Sequence, residues 1–297
     1  MSLSQDLKSG IPIVAPGVFD ALTASIAAGA GFRAVYLSGA AIAYTHLGRP
    51  DIGLVSMAEV ADRIAMICDR MTVPVIVDAD TGYGNALNVQ RTVRLFEKMG
   101  AQGIQLEDQT TPKRCGHLND KSVVSTGEMV GKIKAAVDAR ANEQTLIIAR
   151  TDALQMEGID RALERAHLYA QAGADILFVE APKSGEQLGD IAGALKGVRP
   201  LVANMVEGCT TPIHNAAELS DLGFQIVIFP GGIVRAMAKT AVDYYASLAA
   251  AGSNAPFADR MFDFNGLNAL IGTPDMLALG RTYEDADGKD RHEEDAA

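Results

Sequence analysis

One unit recurs along this chain: a short apolar run with polar residues at its end, followed by a helical stretch with Ala and Leu periodicity. The eight apolar runs span residues 12–15, 34–37, 73–77, 103–106, 146–149, 176–179, 201–203 and 225–229. Strands joined by helical crossovers of this length pair in parallel, and eight such units close most simply into a barrel. The sequence therefore predicts an α/β fold of the (β/α)8 TIM-barrel type. A doubly wound open sheet is the alternative, but no GxGxxG follows the first run.

The helical stretches set the expected domain limits. They span residues 20–28, 56–68, 88–99, 127–141, 160–172, 185–195 and 215–222. Beyond the eighth unit, residues 234–251 predict a long Ala-rich helix, and residues 264–271 start another that we expect outside the barrel or on a partner subunit. We expect one barrel domain with C-terminal helices over residues 1–282, and an acidic, disordered tail over residues 283–297, which is too polar to pack.

Composition excludes several classes of function. The chain has 297 residues, of which 48% are hydrophobic, so it can bury a large core, yet it has no apolar run long enough to span a bilayer. A formal net charge of −11 argues against nucleic-acid or anionic-membrane partners. The N-terminus lacks a signal-peptide pattern, and three scattered cysteines cannot form a disulfide framework or a zinc cluster. These features predict a cytoplasmic protein with a small-molecule substrate.

Polar side chains follow most of the apolar runs, at the strand ends where barrel active sites lie. These residues are Tyr36, Ser38, Asp78, Asp80, Glu107, Arg150, Asp152, Glu180, Asn204 and Glu207. The first run offers Asp20 as its nearest polar candidate, and the eighth offers Arg235. Scattered surface charge would not keep this register, so the pattern indicates an active site.

Three of these side chains are carboxylates suited to a hard cation. Asp78 and Asp80 follow the third run, and Glu107 follows the fourth. Oxygen ligands favour Mg²⁺, or Mn²⁺ in its place, over Zn²⁺. The alternative is that these acids are helix caps and surface turns, which is the usual role of Asp after a strand.

A reactive cysteine is predicted in the loop after the fourth run. Cys115 alone would be an inert small residue, but Lys113, Arg114 and His117 surround it, and Gly116 lets the loop bend. Neighbouring positive charge favours the thiolate, so the loop is placed for acid/base chemistry.

Arg150 emerges from an apolar strand and needs an anion if it is buried. A substrate carboxylate would supply one, as would the neighbouring Glu180. A purely structural Arg–Glu pair is therefore the alternative to a substrate-binding arginine.

At these residues the chain resembles the isocitrate lyase/phosphoenolpyruvate mutase superfamily. The matching segments are VYLSG (35–39), GRPDIG (48–53), VDADTGYG (77–84), LEDQ (106–109), PKRCGH (112–117), ARTDA (149–153), FVEAP (178–182) and ANMVEG (203–208). The matching segments occur in the same order over about residues 8–250. Within the superfamily the chain resembles the carbon–carbon lyase branch, which includes 2-methylisocitrate lyases, dimethylmalate lyases and the petal death protein. The phosphonate mutases carry a gating loop without this cysteine, which argues against chemistry at a P–C bond.

This resemblance implies a Mg²⁺-dependent lyase that cleaves a 2-hydroxy di- or tricarboxylate into a 2-oxo acid (pyruvate or glyoxylate) and a carboxylate. It implies Asp80 as the nearest metal ligand, with Asp78 and Glu107 mainly holding metal-bound waters. Cys115 would protonate the departing carbanion when the loop closes and excludes water.

The resemblance also implies the remaining site residues and the assembly. The implied catalytic residues beside Cys115 are Tyr36, Lys113, His117 and Arg150. The implied substrate-binding residues are Ser38, Gly39, Ala40, Asp51, Gly116, Glu180, Asn204 and Pro230. A homo-oligomer, a dimer of dimers in which C-terminal helices are exchanged between subunits, is implied as well.

Departures from the superfamily pattern concern the substrate. After VYLSG the chain has Ala40, Ala41 and Ile42 where methylisocitrate lyases have more glycine, and Gln105 stands where those enzymes often have histidine. Residues 204–208 look more like the dimethylmalate lyase branch, which favours a smaller 2-hydroxy dicarboxylate. Pro230 is the residue type that the lyases have at this position, where the oxaloacetate hydrolases tend to have a hydroxyl residue. An oxaloacetate hydrolase or decarboxylase is the alternative enzyme, and a non-catalytic barrel binder is the alternative outside catalysis.

Overall fold

Eight parallel strands close into a barrel in the order of the chain. The computed structural model describes residues 2–116, 121–209, 211 and 214–288. Each strand pairs in parallel with the next, and the eighth pairs with the first. The strands are β1 (Ile13–Val18), β2 (Val35–Leu37), β3 (Val75–Asp78), β4 (Gly103–Glu107), β5 (Leu146–Thr151), β6 (Ile176–Val179), β7 (Leu201–Asn204) and β8 (Ile226–Phe229). The predicted barrel is confirmed, and every predicted run overlaps one strand.

Helices lie between the strands and after them. They are α1 (Leu3–Lys8), α2 (Ala21–Gly29), α3 (Gly39–Ile42), α4 (Met57–Arg70), α5 (Ala86–Lys98), α6 (Thr126–Ala139), α7 (Leu154–Glu157), α8 (Ile159–Gln171), α9 (Gly185–Ala194), α10 (Ala216–Leu222), α11 (Gly232–Ala251), α12 (Phe264–Ile271) and α13 (Thr273–Gly288). A π-helical turn (Ala43–Leu47) follows α3, and a 3₁₀ helix (Ala255–Arg260) precedes α12. Short polar side chains accept backbone N–H groups at several helix starts, as Ser56 does for α4 and Asn85 for α5.

The core has two layers because side chains alternate between the two faces of each strand. Ile13, Ile148 and Phe178 belong to the cluster inside the barrel. The other face of the strands packs against the helices in a larger cluster that includes Ile64 and Phe96.

The short helix α1 contributes to the inner cluster through Leu3, which is fully buried. The backbone N–H of Leu3 donates to Gln102 Oε1 at 3.0 Å, directly before β4. A Cβ on Gly103 would lie 3.0 Å from Leu3 Cδ2, so glycine makes room for this side chain. Helix α1 thereby packs at the amino-terminal end of β4, opposite the ends that carry the predicted site.

The chain divides into two compact units, Met1–Ala236 and Met237–Ala297. The predicted limits of one domain over residues 1–282 stay a prediction. Helix α13 continues to Gly288, so residues 283–288, predicted as disordered, are helical. The segment that precedes them is rich in Leu, Met and Ala, which favour helix, and the helix propagates into the polar sequence. Residues 289–297 lie outside the described part of the chain. No described helix is long and apolar enough to cross a membrane.

Candidate active site

The carboxyl ends of the barrel strands surround one cavity, and all but three of the predicted site residues line it. The lining includes Tyr36, Ser38, Ala40, Asp51, Asp78, Glu107, Lys113, Cys115, Gly116, Arg150, Glu180, Asn204 and Pro230. Residues from separate strands and loops therefore meet here.

The three exceptions have different reasons. Asp80 is not part of the lining, but its Oδ1 lies 2.7 Å from the Nζ of Lys113, which does line the cavity. Gly39 faces the acids with its backbone, and a Cβ there would lie 3.3 Å from Asp78 Oδ2 and 3.4 Å from Asp80 Oδ1. His117 lies outside the described residues, so its catalytic role stays a prediction.

The acids after β3 are held by a backbone turn and by a side-chain network. Asp80 has a φ of 48°, and its N–H donates to Asp78 Oδ1 at 3.1 Å. Gln105 also donates to Asp78 Oδ1, at 3.2 Å, and accepts the phenolic hydrogen of Tyr36 at 2.9 Å. Burial, together with the charge of Asp78, raises the pKa of Tyr36 well above its usual value, so this phenol stays protonated and donates. Gln105 thereby links Tyr36 to Asp78.

Lys113 crosses from the cysteine loop to two of the acids. Its Nζ lies 2.6 Å from Asp51 Oδ1 and 2.7 Å from Asp80 Oδ1. Burial lowers the pKa of Lys113, but Asp80 and Asp51 outweigh it and hold that pKa well above the usual value. For Asp80, burial raises the pKa, and Lys113 opposes that shift. Lys113 thereby ties the cysteine loop to Asp51 and Asp80.

Arg150 lies among three carboxylates. It pairs with Asp152 through Nε at 2.9 Å and Nη2 at 3.0 Å, and its Nη1 lies 3.1 Å from Glu107 Oε2. Glu180 Oε2 is 3.5 Å from Nε. Burial lowers the pKa of Arg150, but Asp152 and Glu107 raise it further, so the net pKa lies well above the usual value. The anion that the buried arginine requires is thus supplied mainly by Asp152 and Glu107, with Glu180 more distant.

Strand register explains one of these pairs. Glu107 of β4 is the direct partner of Arg150 of β5, so the two side chains emerge side by side. Glu180 in turn accepts from Asn204 Nδ2, at 3.3 Å and 3.2 Å for its two oxygens, from across β6 and β7.

The cysteine loop lies against these groups. The N–H of Cys115 donates to the carbonyl of Asp51 at 3.2 Å, and Cys115 is partly buried. A Cβ on Gly116 would lie 2.3 Å from Arg150 Nη2 and 2.8 Å from Glu180 Cγ, closer than any side chain allows. Only glycine lets the loop approach the arginine this closely, with the thiol of the preceding residue beside the cavity.

The acids could hold a divalent metal ion only partly through water. Among the described residues, no three His, Cys, Asp or Glu side chains converge closely enough to share an ion directly. Glu107 Oε1 is nevertheless a buried acceptor with no hydrogen-bond partner. Mg²⁺ in proteins is bound through one or two carboxylates and keeps several waters. The roles expected for Asp80 as a direct ligand, and for Asp78 and Glu107 as acceptors from metal-bound waters, stay a prediction.

Two of the residues named from strand ends serve other purposes. Asp20 caps α2, since its Oδ1 accepts from Thr23 N at 2.8 Å, and it does not line the cavity. Glu207 pairs with Arg235 at 2.8 Å, and both side chains are a little less than half exposed; of the two, only Arg235 lines the cavity.

Sequence reasoning missed Tyr44 and Lys121. Tyr44 lines the cavity from the π-helical turn after α3. This irregular element has no hydrophobic periodicity from which it could be predicted. Lys121 Nζ lies 3.0 Å from Asp152 Oδ1. Its position a few residues beyond the cysteine motif was the only available signal.

A protein-family model described as phosphoenolpyruvate phosphomutase matches residues 3–249. The chain belongs to the PEP mutase/isocitrate lyase superfamily. Among its relatives, 2,3-dimethylmalate lyase of Eubacterium barkeri is 46% identical over 271 residues, covering 91% of this chain and 93% of the relative. The 2-methylisocitrate lyase of Aeropyrum pernix is 45% identical over 263 residues, covering 89% of this chain and 84% of that one. The predicted class, an isocitrate lyase-like lyase, is confirmed.

Solved structures of superfamily members have the same fold. A crystal structure of 2,3-dimethylmalate lyase matches with a TM-score of 0.90 and 35% identity, covering 95% of this chain and 94% of that one. Oxaloacetate acetylhydrolase in complex with 3,3-difluorooxalacetate matches with a TM-score of 0.89 and 33% identity over 95% and 96% of the two chains. Phosphonopyruvate hydrolase in complex with oxalate and Mg²⁺ matches with a TM-score of 0.85 and 28% identity over 95% and 97%.

Proposed function

We propose that this superfamily member is a Mg²⁺-dependent carbon–carbon lyase that cleaves a 2-hydroxy dicarboxylate of the 2-alkylmalate or 2-methylisocitrate type. The products would be a 2-oxo acid, pyruvate or glyoxylate, and a carboxylate. One observation carries the proposal: Cys115 lines the same cavity as Arg150, Asp78 and Glu107. A proton donor, a cation for carboxylates and oxygen ligands for a metal are the groups that this cleavage requires.

The metal would bind between the acids of β3 and β4. Asp80 would be a direct ligand, and Asp78 and Glu107 would hold its waters, because Glu107 Oε1 is a buried acceptor that needs a donor. When bound, Mg²⁺ or Mn²⁺ polarises the oxygens of the 2-oxo-acid half of the substrate. Lys113, which is now 2.7 Å from Asp80 Oδ1, would share that carboxylate with the ion or shift toward Asp51.

The chain's own residues would divide the remaining work. Arg150 and Asn204 would orient substrate carboxylates. Tyr36 stays protonated and would turn its phenolic hydrogen from Gln105 to a substrate oxygen. A carboxylate of the cavity lining would accept the 2-hydroxyl proton as the bond between C2 and C3 breaks and the 2-oxo group forms. The electron pair of that bond stays on the other fragment as a carbanion next to a carboxylate, and Cys115 would donate the proton that this carbon takes up. Residues 113–116 line the cavity, and this loop, closed over a substrate, would limit stray proton transfer from water.

Apolar lining residues favour an alkylated substrate. Ala41, Val206 and Ile228 line the cavity together with its charged groups. Methyl groups on the substrate carbon chain would bury apolar surface against these side chains, each methyl contributing about 0.8 kcal/mol. The similarity to 2,3-dimethylmalate lyase supports the smaller dicarboxylate over a tricarboxylate.

The decisive variant is Cys115→Ser. We expect the release of 2-oxo acid from 2,3-dimethylmalate and 2-methylisocitrate to be abolished, since a serine hydroxyl is a far weaker acid than a thiol. Binding of Mg²⁺ and oxalate, followed by calorimetry, should stay close to wild type because no carboxylate or cation is changed. Undiminished turnover by this variant would contradict the proposed role of Cys115.

The structural similarity to oxaloacetate acetylhydrolase supports one second candidate, hydrolysis or decarboxylation of oxaloacetate. Pro230 lines the cavity at the position where the sequence resembles the lyases instead. Incubation with oxaloacetate distinguishes the two: release of oxalate or CO₂, with no cleavage of alkylmalates, would select the second candidate. A barrel that binds without catalysis would turn over neither substrate and would show no Mg²⁺ affinity.

We also propose that the enzyme is a homo-oligomer, a dimer of dimers with exchanged C-terminal helices, in the cytoplasm. The unit Met237–Ala297 exposes large apolar side chains, including Phe262 at 68%, Phe264 at 83% and Met276 at 68%. Exposed apolar surface on this scale is typical of a subunit interface. Light scattering should give a mass of about four times the 31.3 kDa of one chain, and Phe264→Asp should lower that mass.

A further inference from the structure

A second buried lysine lies beside the cavity, and the proposed reaction does not use it. The Lys121 side chain is 2% exposed, and its Nζ lies 3.0 Å from Asp152 Oδ1. The same ammonium donates to the backbone carbonyl of Gly116. A buried ammonium is costly unless its donors are satisfied, so these two oxygens fix where the side chain lies.

One end of this contact is a rigid carboxylate. Asp152 is fully buried, and its two oxygens accept from Arg150 Nε at 2.9 Å and Nη2 at 3.0 Å. Its backbone N–H donates to Asp108 Oδ1 at 2.9 Å. Asp152 therefore aligns the guanidinium of Arg150, and its own backbone is fixed by the hydrogen bond to Asp108.

The other end is the loop that carries the thiol. Gly116 directly follows Cys115 and packs against Arg150 and Glu180 so closely that no Cβ fits. By holding the carbonyl of Gly116, the ammonium of Lys121 limits how far the thiol can move from the arginine. The ammonium of Lys121 thus connects Gly116, the residue after Cys115, to Asp152, the carboxylate that pairs with Arg150.

We propose that Lys121 is a positioning residue that fixes the Cys115–Gly116 segment relative to Arg150 through Asp152. The proposal rests on the proposed function, in which Cys115 donates a proton to a substrate oriented by Arg150. Lys121 does not touch the reacting atoms. Its contribution is to keep the thiol at the distance and angle that proton transfer requires, where a misplacement of 1 Å costs about a hundredfold in rate.

The test compares two variants. Lys121→Met keeps the approximate side-chain length and removes the positive charge, whereas Lys121→Arg keeps the charge but replaces the compact ammonium with a planar guanidinium. Lys134→Met is the control, because Lys134 is an exposed lysine on α6. The first readout is the rate at which iodoacetamide alkylates Cys115, followed by mass spectrometry of its peptide. It requires no substrate. The second is the separation of kcat from KM with a cleaved substrate.

We expect Lys121→Met to raise the alkylation rate of Cys115 about tenfold, as the loss of a charge-assisted hydrogen bond allows the segment to open more often. The variant should lower kcat about 10–100-fold with KM changed far less, since orientation is lost rather than binding. Lys121→Arg should lie between Lys121→Met and wild type, and Lys134→Met should match wild type. A merely structural lysine would lower the melting temperature without changing the alkylation rate in the folded protein.

Alkylation of Cys115 at the wild-type rate in both Lys121 variants would overturn the proposal. If Lys121→Met does not fold, Lys121→Arg alone decides it by the same measurement. If wild type cleaves no hydroxy acid, the proposed function fails, yet the alkylation rates still show whether Lys121 holds the segment.

Discussion

Gly116 gives the sharpest structural test of the site. Replacing it with alanine would put a Cβ 2.3 Å from Arg150 Nη2 and 2.8 Å from Glu180 Cγ. Non-bonded heavy atoms are ordinarily at least about 3.5 Å apart, so either the loop or the arginine must move by about 1 Å. Arg150 is held by Asp152 and Glu107, so we expect the loop to give way and to carry Cys115 outward. A displacement of that size predicts a loss of about a hundredfold in kcat/KM, or about 2.7 kcal/mol of transition-state stabilisation.

The assay is release of 2-oxo acid from 2,3-dimethylmalate and 2-methylisocitrate, with the melting temperature measured in parallel. Gly131→Ala is the matched control, because a Cβ there meets nothing within 4 Å and the residue lies inside α6. It should keep wild-type turnover and gain about 0.5–1 kcal/mol of stability from alanine's helix propensity. A Gly116→Ala enzyme within twofold of the wild-type kcat/KM would refute the packing argument.

Two further outcomes follow from buried groups. Tyr169→Phe removes a hydroxyl that donates to the buried Asp108 at 2.7 Å, and it should cost about 1.5–3 kcal/mol in urea unfolding. A cost below about 0.5 kcal/mol would show that Asp108 does not need this donor. Oxalate at a hundredfold excess over its Kd should stabilise the folded enzyme by about 2.7 kcal/mol when Mg²⁺ is present, and EDTA or Asp80→Asn should remove that gain. Equal stabilisation by oxalate in EDTA would contradict the proposed metal site.

The repeat of apolar runs was sufficient to predict the barrel because strand and helix periods differ and the crossovers admit only parallel pairing. Short and irregular elements escaped that reasoning. Helix α1 has six residues, too few for a period, although Ser2 and Gln5 form a capping box that could have indicated its start. The π-helical turn that carries Tyr44 has no comparable signature. Helix α13 runs into the acidic tail because local helix propensity continues where apolar residues stop.

The predicted site assembled for a reason of topology, since the carboxyl ends of parallel strands meet at one end of a barrel. The partners of individual side chains were harder to predict. Glu180 was the anion expected near Arg150, but strand register sets Glu107 beside that arginine, and Asp152 holds it with two hydrogen bonds. Asp20 was a candidate by position alone, and the hydroxyl and N–H of Thr23 make it a helix cap. Register and capping depend on contacts across the chain, which a single sequence does not display.

The charges around the cavity link metal affinity to substrate affinity. Lys113 is paired with two carboxylates and Arg150 lies among three. The negative charge around these two cations therefore exceeds their positive charge. A dicarboxylate entering this surrounding meets repulsion of about 4 kcal/mol for each like charge at 4 Å with an effective dielectric constant of 20. A divalent ion on Asp80 would offset two of the three excess negative charges (five carboxylates less two cations) and so reduce that repulsion. The affinities for ion and substrate must then rise together and by the same factor, because coupling between two ligands is reciprocal.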